Sequence, residues 1–386
     1  MNKNNLLAVL FTGDFAPCRN FESIVLDKKE QVLGDALPLI EAADCSFTNL
    51  ECVLTNHKKI INKSGPALKA DPKCIEALKH FSVVGLANNH ILDYGKKGLQ
   101  DTLLACENLG LPTVGSGMDL VQAQKPFIHE VKGIKIAIIA IAEHEFNQSE
   151  NNGAGSAPID AIDNYQQIQH AKAQADIVIV TLHGGNEYFP YPRPGLRKLC
   201  KHYIDLGVEA VICHHPHVPG AYEYHQGKPI VYSLGNFLFD NANPPEGWNE
   251  GYMVKLNFDH GTKGFLGLEL IPYSQSVKDG GVKLCTGKEK DKLLDKIESY
   301  RRKLENNDEW QMEWKEFVAK HSESYIMRQF FPFSFRGIGF LARNTPIAKL
   351  FFNHSNSLPK LNMLRCQSHR ELLTAALEEN SQSRDN

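Results

Sequence analysis

The strongest constraint on the fold is a recurring unit, a short apolar run rich in β-branched residues that stops abruptly at polar side chains suited to a ligand site. Residues 6–12, 82–87, 134–142, 176–182, 209–213 and 229–234 all have this form. Runs this short and this apolar read as strands buried on both faces. Between several of them lie amphipathic stretches, such as 96–109 and 195–206, with apolar residues at helical spacing. The alternation implies an α/β sandwich. Runs 252–259 and 265–271, separated by His260-Gly261-Thr262-Lys263, read as an antiparallel hairpin, so the sheets are expected to be mixed. Beyond residue 272 the texture changes. Segment 288–321 is highly charged and helical in character, with Trp310 and Trp314 four apart on one face. The expected division is therefore 1–272 for the sandwich and 273–386 for a helical, basic and Phe-rich extension.

Charge and cysteine usage narrow the function. The 42 Lys and Arg against 45 Asp and Glu give a net charge of -3, which provides no overall attraction to nucleic acid. Nine scattered cysteines with no C-x-x-C pair read as free thiols in a reducing compartment. The apolar run 6–11 is too short for a secretory signal, so a cytoplasmic location is expected. No uncharged apolar run reaches the ~18–20 residues of a membrane span. The near-neutral total conceals one asymmetry: residues 324–370 hold seven basic and no acidic side chains, together with seven of the 20 Phe. Either those rings dock the extension on the sandwich, or Arg328, Arg336, Arg343 and Lys349 interleave with them as a surface for an anionic polymer, a membrane face or a partner enzyme.

The strand ends carry the chemistry. Five of 16 histidines fall between residues 183 and 217, and His215-Pro216-His217 directly follows the run 209–213. His183 follows the run before it. Asp14, Asn49 with Glu51, and Asn88-Asn89-His90 end other runs, where open α/β sheets place their ligands. Two carboxylates, amide oxygens and imidazoles converging there suit Zn, Mn, Fe or Ni better than Mg or Ca. A dinuclear centre would need a bridging carboxylate, from Glu51 or Asp14, and would hydrolyse a phosphoester or related bond. Taken alone, Asn88-Asn89-His90 fits a polar turn equally well. His214 is expected to point away, His202 to lie on a helix surface, and Asp93 to cap the following helix. Glu187, Tyr188, Arg193 and Asn236 are candidates for the rim. Glu143, His144 and Glu145 end another strand with no motif to attach them to. Arg193 could receive a substrate anion or be an ordinary loop arginine.

Six strings closely resemble the CapA-type bacterial capsule and poly-γ-glutamate synthesis proteins, a family that in turn resembles the calcineurin-like metallophosphoesterases. They are Phe11-Thr12-Gly13-Asp14, Asn49-Leu50-Glu51, Asn88-Asn89-His90 with Asp93-Tyr94-Gly95, His183-Gly184-Gly185-Asn186-Glu187-Tyr188, His214-His215-Pro216-His217 and Gly235-Asn236-Phe237. The resemblance spans roughly residues 6 to 240. It implies a four-layer αββα sandwich with one or two divalent transition-metal ions (Mn, Zn or Fe). It implies Asp14 and His217 as ligands of one ion, Glu51 as the bridge, and Asn89, His183 and His215 as ligands of the second. His90 resembles the non-ligand histidine that protonates the leaving oxygen. Asn49, Asn88, Glu187, Arg193 and Asn236 are left as substrate contacts. Ala16 stands where the superfamily usually has a histidine, which leaves the first ion a ligand short. Cys213 stands where glycine is common. The implied role is hydrolysis in cell-surface polymer metabolism, or else a non-catalytic assembly or export factor that binds an anionic polymer or the synthesis machinery.

Overall fold

The computed structural model describes residues 6–149, 153–330, 337–345, 354–366, 368–370, 373–374 and 377. The chain divides into a large unit, Met1–Trp310, and a small one, Gln311–Asn386.

The large unit is built on two mixed sheets. One runs Gly281–Leu284, Phe265–Ser276, Glu250–Asp259, Leu6–Ala16, Cys45–Leu50, Val83–Gly85, Thr113–Val114, and Asn236–Phe239 also pairs with Leu6–Ala16. From Leu6–Ala16 to Thr113–Val114 the pairing is parallel, and on the other side it is antiparallel except for Asn236–Phe239, which runs parallel to Leu6–Ala16. The second sheet runs Tyr222–His225, Lys228–Val231, Ala210–His214, Ile177–His183, Ile134–Ala142, Phe127–Val131, and its four central strands are parallel.

Strand alternation explains the layering. Val9, Phe11 and Phe47 of the first sheet meet Ile136, Ile138, Ile179 and Ile212 of the second in one buried cluster. Each such side chain contributes about 1.5–3 kcal/mol on burial. The opposite face of the first sheet buries Val25 of helix Asn20–Lys28 and Leu99 and Cys106 of helix Gly95–Leu109. Helices Ala161–Lys172 and Pro194–Asp205 cover the second sheet with Ile168, Cys200 and Ile204. The result is a four-layer αββα sandwich, with further helices toward the C-terminus.

Three boundaries differ from expectation. The first strand continues past Thr12 to Ala16 because Gly13 passes within reach of the Gly235 carbonyl; a Cβ there would lie 2.0 Å from that oxygen. Asp14 N–H donates to the same carbonyl at 3.1 Å. The division at residue 272 falls inside strand Phe265–Ser276, which then pairs with Gly281–Leu284. Helix Gly287–Glu305 also belongs to the large unit, because Leu293 and Ile297 join the inter-sheet cluster. Finally, the charged helical stretch is two helices, broken at Asn306. Trp310 is buried and donates to the Pro192 carbonyl at 3.0 Å, with the Arg197 guanidinium 4.4 Å from its ring centre.

In the small unit, Trp314 stacks on Phe317, and helices Ile338–Asn344 and His354–Arg365 follow. The basic surface read in residues 324–370 depends on Arg336 and Lys349 and on the side chains of Arg328 and Arg343, which lie outside the described residues. Among the described residues no helix is long and apolar enough to cross a membrane.

Candidate metal centre

The parallel strands of both sheets deliver their carboxyl ends to one place. Asp14, Glu51, His183, His215 and His217 are 0–5% exposed there, and Asn89 9%. Two groups form with ligand atoms mutually within 4.8 Å: Glu51 with His183 and His215, and Asp14 with Glu51 and His217. Glu51 is common to both. Asn89 joins the first group, its Oδ1 3.1 Å from His183 Nε2, while His215 Nδ1 lies 3.2 Å from the same nitrogen.

Glu51 supplies the test of whether a cation fits. Both of its carboxylate oxygens are buried and have no hydrogen-bond partner. An ionised carboxylate left this way is costly unless a cation compensates it. Around Oε1 stand His217 Nε2 at 3.6 Å, His183 Nε2 at 3.8 Å and His90 Nε2 at 3.9 Å. These separations are about those of neighbouring ligands on one ion with bonds of ~2.0–2.2 Å. Burial, together with the Asp14 charge, pushes the Glu51 carboxyl well above its ordinary value. Burial and the neighbouring imidazoles push His183 well down, and burial lowers His217 to about 4. These surroundings thus disfavour charge on all three, and a divalent ion would reverse that preference.

Backbone strain marks the same place. His215 and His217 have φ of 99° and 61° on either side of Pro216, and Tyr188 and Arg19 have φ of 63° and 57°. Side chains other than glycine's hold such angles at a cost of about 1–3 kcal/mol each, and characteristically at functional sites.

The asparagines have a different task from the substrate contact expected of them. Asn49 donates to Asp14 Oδ1 at 2.7 Å, and its amide nitrogen lies 3.2 Å from His183 Nδ1. Asn88 donates to Asn49 Oδ1 and to the Leu50 carbonyl. Asn236 donates to the His217 and Trp248 carbonyls, and its Oδ1 meets His217 Nδ1 at 3.0 Å. All three are 0–2% exposed and hydrogen-bond to the candidate ligands or, for Asn88, to the asparagine that does so. Arg193 likewise departs from expectation: it precedes helix Pro194–Asp205, and its guanidinium is paired with Glu143. Glu187 does line the cleft above the cluster, a space of about 240 Å³, as do Asn89, His90 and His217.

His90 Nδ1 lies 2.6 Å from Asp93 Oδ2. Asp93 is therefore no helix cap: Tyr94 occupies that position without a side-chain bond, and Asp93 also accepts from Leu68 N–H and pairs with Lys63. The three-residue spacing from His90 was a signal for this pairing, whereas Lys63 offered none. Glu145, accepting from Asn89 at 3.0 Å, and Trp248, 5.0 Å from the His217 ring, also border the cleft. His214 turns away, bonded to the Thr12 carbonyl, and His202 is exposed.

Fold and strand-end donor set together define an αββα sandwich with a candidate metal centre at the carboxyl ends of its strands. Residues 8–241 match the family described as bacterial capsule synthesis protein PGA_cap, and the chain belongs to that family. It is 32% identical over 252 residues to a PGA biosynthesis protein CapA of Bacillus subtilis, a match covering 64% of this chain and 65% of that one. It is 30% identical over 317 residues to a capsule biosynthesis protein CapA of Bacillus anthracis, covering 78% and 73%. Among solved structures, a phosphatase of Mycoplasma pneumoniae aligns with TM-score 0.45 and 15% identity over 69% of this chain and 93% of that one. The calcineurin-like phosphoesterase YfkN of Bacillus subtilis aligns with TM-score 0.44 and 12% identity over 80% and 99%. Likeness at that level says nothing about chemistry.

Proposed function

We propose that this chain is a metal-dependent hydrolase of a phosphoester or related bond, acting in capsule, exopolysaccharide or poly-γ-glutamate biosynthesis. The observation that carries the reading is the unpartnered, buried Glu51 carboxylate with three imidazole nitrogens at 3.6–3.9 Å. Asp14, Glu51 and His217 would hold one ion, and Glu51, Asn89, His183 and His215 a second, with Mn, Zn or Fe suited to this mixed N/O set. When bound, such ions supply Lewis-acid stabilisation of phosphoryl oxygens and lower the pKa of water. Asn49 and Asn236 orient Asp14 and His217 for that task. His90 lines the cleft with Nδ1 held by Asp93, so its imidazolium can pass the Nε2 proton to a departing oxygen. The proposed setting is the cytoplasm, where the nine free cysteines would remain thiols. The partners are an anionic polymer or phosphoester substrate and the synthesis machinery.

The second reading, a non-catalytic polymer-binding or assembly factor, is favoured by Ala16, fully buried where the superfamily's histidine would stand. Elemental analysis and turnover of p-nitrophenyl phosphate and its bis ester with Mn, Zn or Fe separate the two. Metal retained by wild type, lost in His215→Ala, and turnover dependent on His183 support the enzyme. Metal-free, inert protein overturns it.

A further inference from the structure

The cleft of about 240 Å³ above the cluster is lined by two cations, and they differ in what they are free to do. Lys63 is paired with Asp93, and its side chain is only 6% exposed. Arg19 is exposed and, among the described residues, has no carboxylate within 4.0 Å; Nη1 donates to the Asp240 carbonyl at 2.7 Å. That bond leaves the rest of a five-donor fork for another acceptor.

Arg19 is also held in place. Its guanidinium carbon lies 5.9 Å from the Phe239 ring centre, and that ring packs edge-on to His217 at 5.2 Å. One aromatic ring therefore separates the free guanidinium from a ligand of the candidate centre. The backbone of Arg19 is at φ 57°, and Tyr188, another residue lining the cleft, is at φ 63°. Lys132, Gln226 and Lys263, also at positive φ, each precede a glycine beside a strand end, where tight turns require it. Arg19 holds its angle where the chain turns into helix Asn20–Lys28, which fixes the root of its side chain at the cleft. Glu187, exposed on the rim, and Glu145, which accepts from Asn89, would repel an anion placed on their side, so an anion is directed toward the guanidinium.

We propose that Arg19, standing over Phe239 at the cleft, receives a second oxyanion of the substrate, so that the site selects molecules carrying a carboxylate or phosphate besides the group attacked at the metal centre. This rests on the phosphoesterase reading and names the substrate class. A planar, bidentate fork suits either oxyanion.

Non-hydrolysable phosphonates separate the two claims without turnover. Calorimetric titration of the Mn-loaded protein compares phenylphosphonate with 3- and 4-carboxyphenylphosphonate and with 1,4-phenylenebisphosphonate. At least one two-anion probe should bind roughly tenfold or more tightly than phenylphosphonate, and Arg19→Ala should erase that gain while leaving phenylphosphonate within about twofold. Arg19→Lys should restore only part of it. A preference for carboxylate or for phosphonate identifies which second anion is read. Equal binding of all probes, or a gain that survives Arg19→Ala, overturns this inference alone. Binding of none overturns the phosphoesterase reading and the inference with it. A thermal melt of each variant confirms that the fold is kept.

Discussion

The two halves of the candidate centre share Glu51 but are built on different principles. On the His183 side, two imidazoles and the Asn89 amide oxygen crowd together at 3.1–3.2 Å, all neutral donors. On the Asp14 side, one carboxylate and one imidazole face Glu51, and each is already anchored: Asp14 by Asn49 and the His215 backbone, His217 by Asn236. The first half has more donors and less charge. The second has fewer donors, more negative charge and a tighter scaffold, and Ala16 adds nothing to it. Ligand number favours the first half for the tighter ion, whereas charge favours the second only once the shared carboxylate is ionised.

The largest break in this comparison is removal of its common member. Glu51→Ala should strip both halves: metal content by elemental analysis should fall to background, and turnover should drop roughly 10³-fold or more as several kcal/mol of transition-state stabilisation is lost. His183→Ala and His217→Ala should each cost about one equivalent of metal if the wild type holds two. Titration followed by mass spectrometry under native conditions checks which half fills first, and equal loss of both ions in either variant would show that the halves are not separable. Asp93→Asn should leave metal content unchanged while lowering kcat about 10–100-fold, the usual scale for a residue that acts through another. Lost metal would instead place Asp93 in the ligand scaffold.

The smallest effect concerns protons. His217 has a folded pKa of about 4 against an ordinary 6.5, so the unfolded chain binds its proton first as pH falls. This contribution to stability is whole above pH 6.5 and is lost as pH drops toward 4, on the order of 3 kcal/mol. His183, shifted the same way, adds to it. Glu51 runs oppositely: its raised pKa makes the metal-free fold lose stability as pH rises through that value. Melting temperature of chelator-treated protein should therefore climb from pH 4 to 6.5. In His217→Asn the climb should be shallower, and added Mn should stabilise more at pH 8 than at pH 5, because Glu51 must release its proton to bind.

Much of this was legible from residue order, because a parallel strand followed by its loop writes a ligand directly after an apolar run. His183, the His215-Pro216-His217 turn and the Asn88–His90 loop could all be located in that way. What escaped depends on contacts between distant segments. The extension of the first strand to Ala16 requires Asn236–Phe239 alongside it, far along the chain. Asp93 looked like a cap because its neighbours suggest a helix start, and only the arrival of Lys63 and Leu68 N–H reveals its link to His90. Arg193 looked available because the Glu143 that neutralises it lies 50 positions away. The helix ending at Glu305 looked like an appendage because its apolar residues are sparse, yet Leu293 and Ile297 reach the core between the sheets.

The bond between His215 N–H and Asp14 spans 201 positions of sequence, and that between Asn49 and His183 spans 134. Neither of the two candidate ion sites is complete until His215 and His217 have been made. At roughly 5–20 residues per second of synthesis, the first carboxylate waits on the order of 10–40 seconds for its histidines. On the proposed reading, metal capture would wait until the chain has been made past residue 217, and it would lock a topology that must already be correct. A chain stalled before residue 215 would lack ligands of both candidate sites, so on that reading cofactor occupancy would report on folding itself.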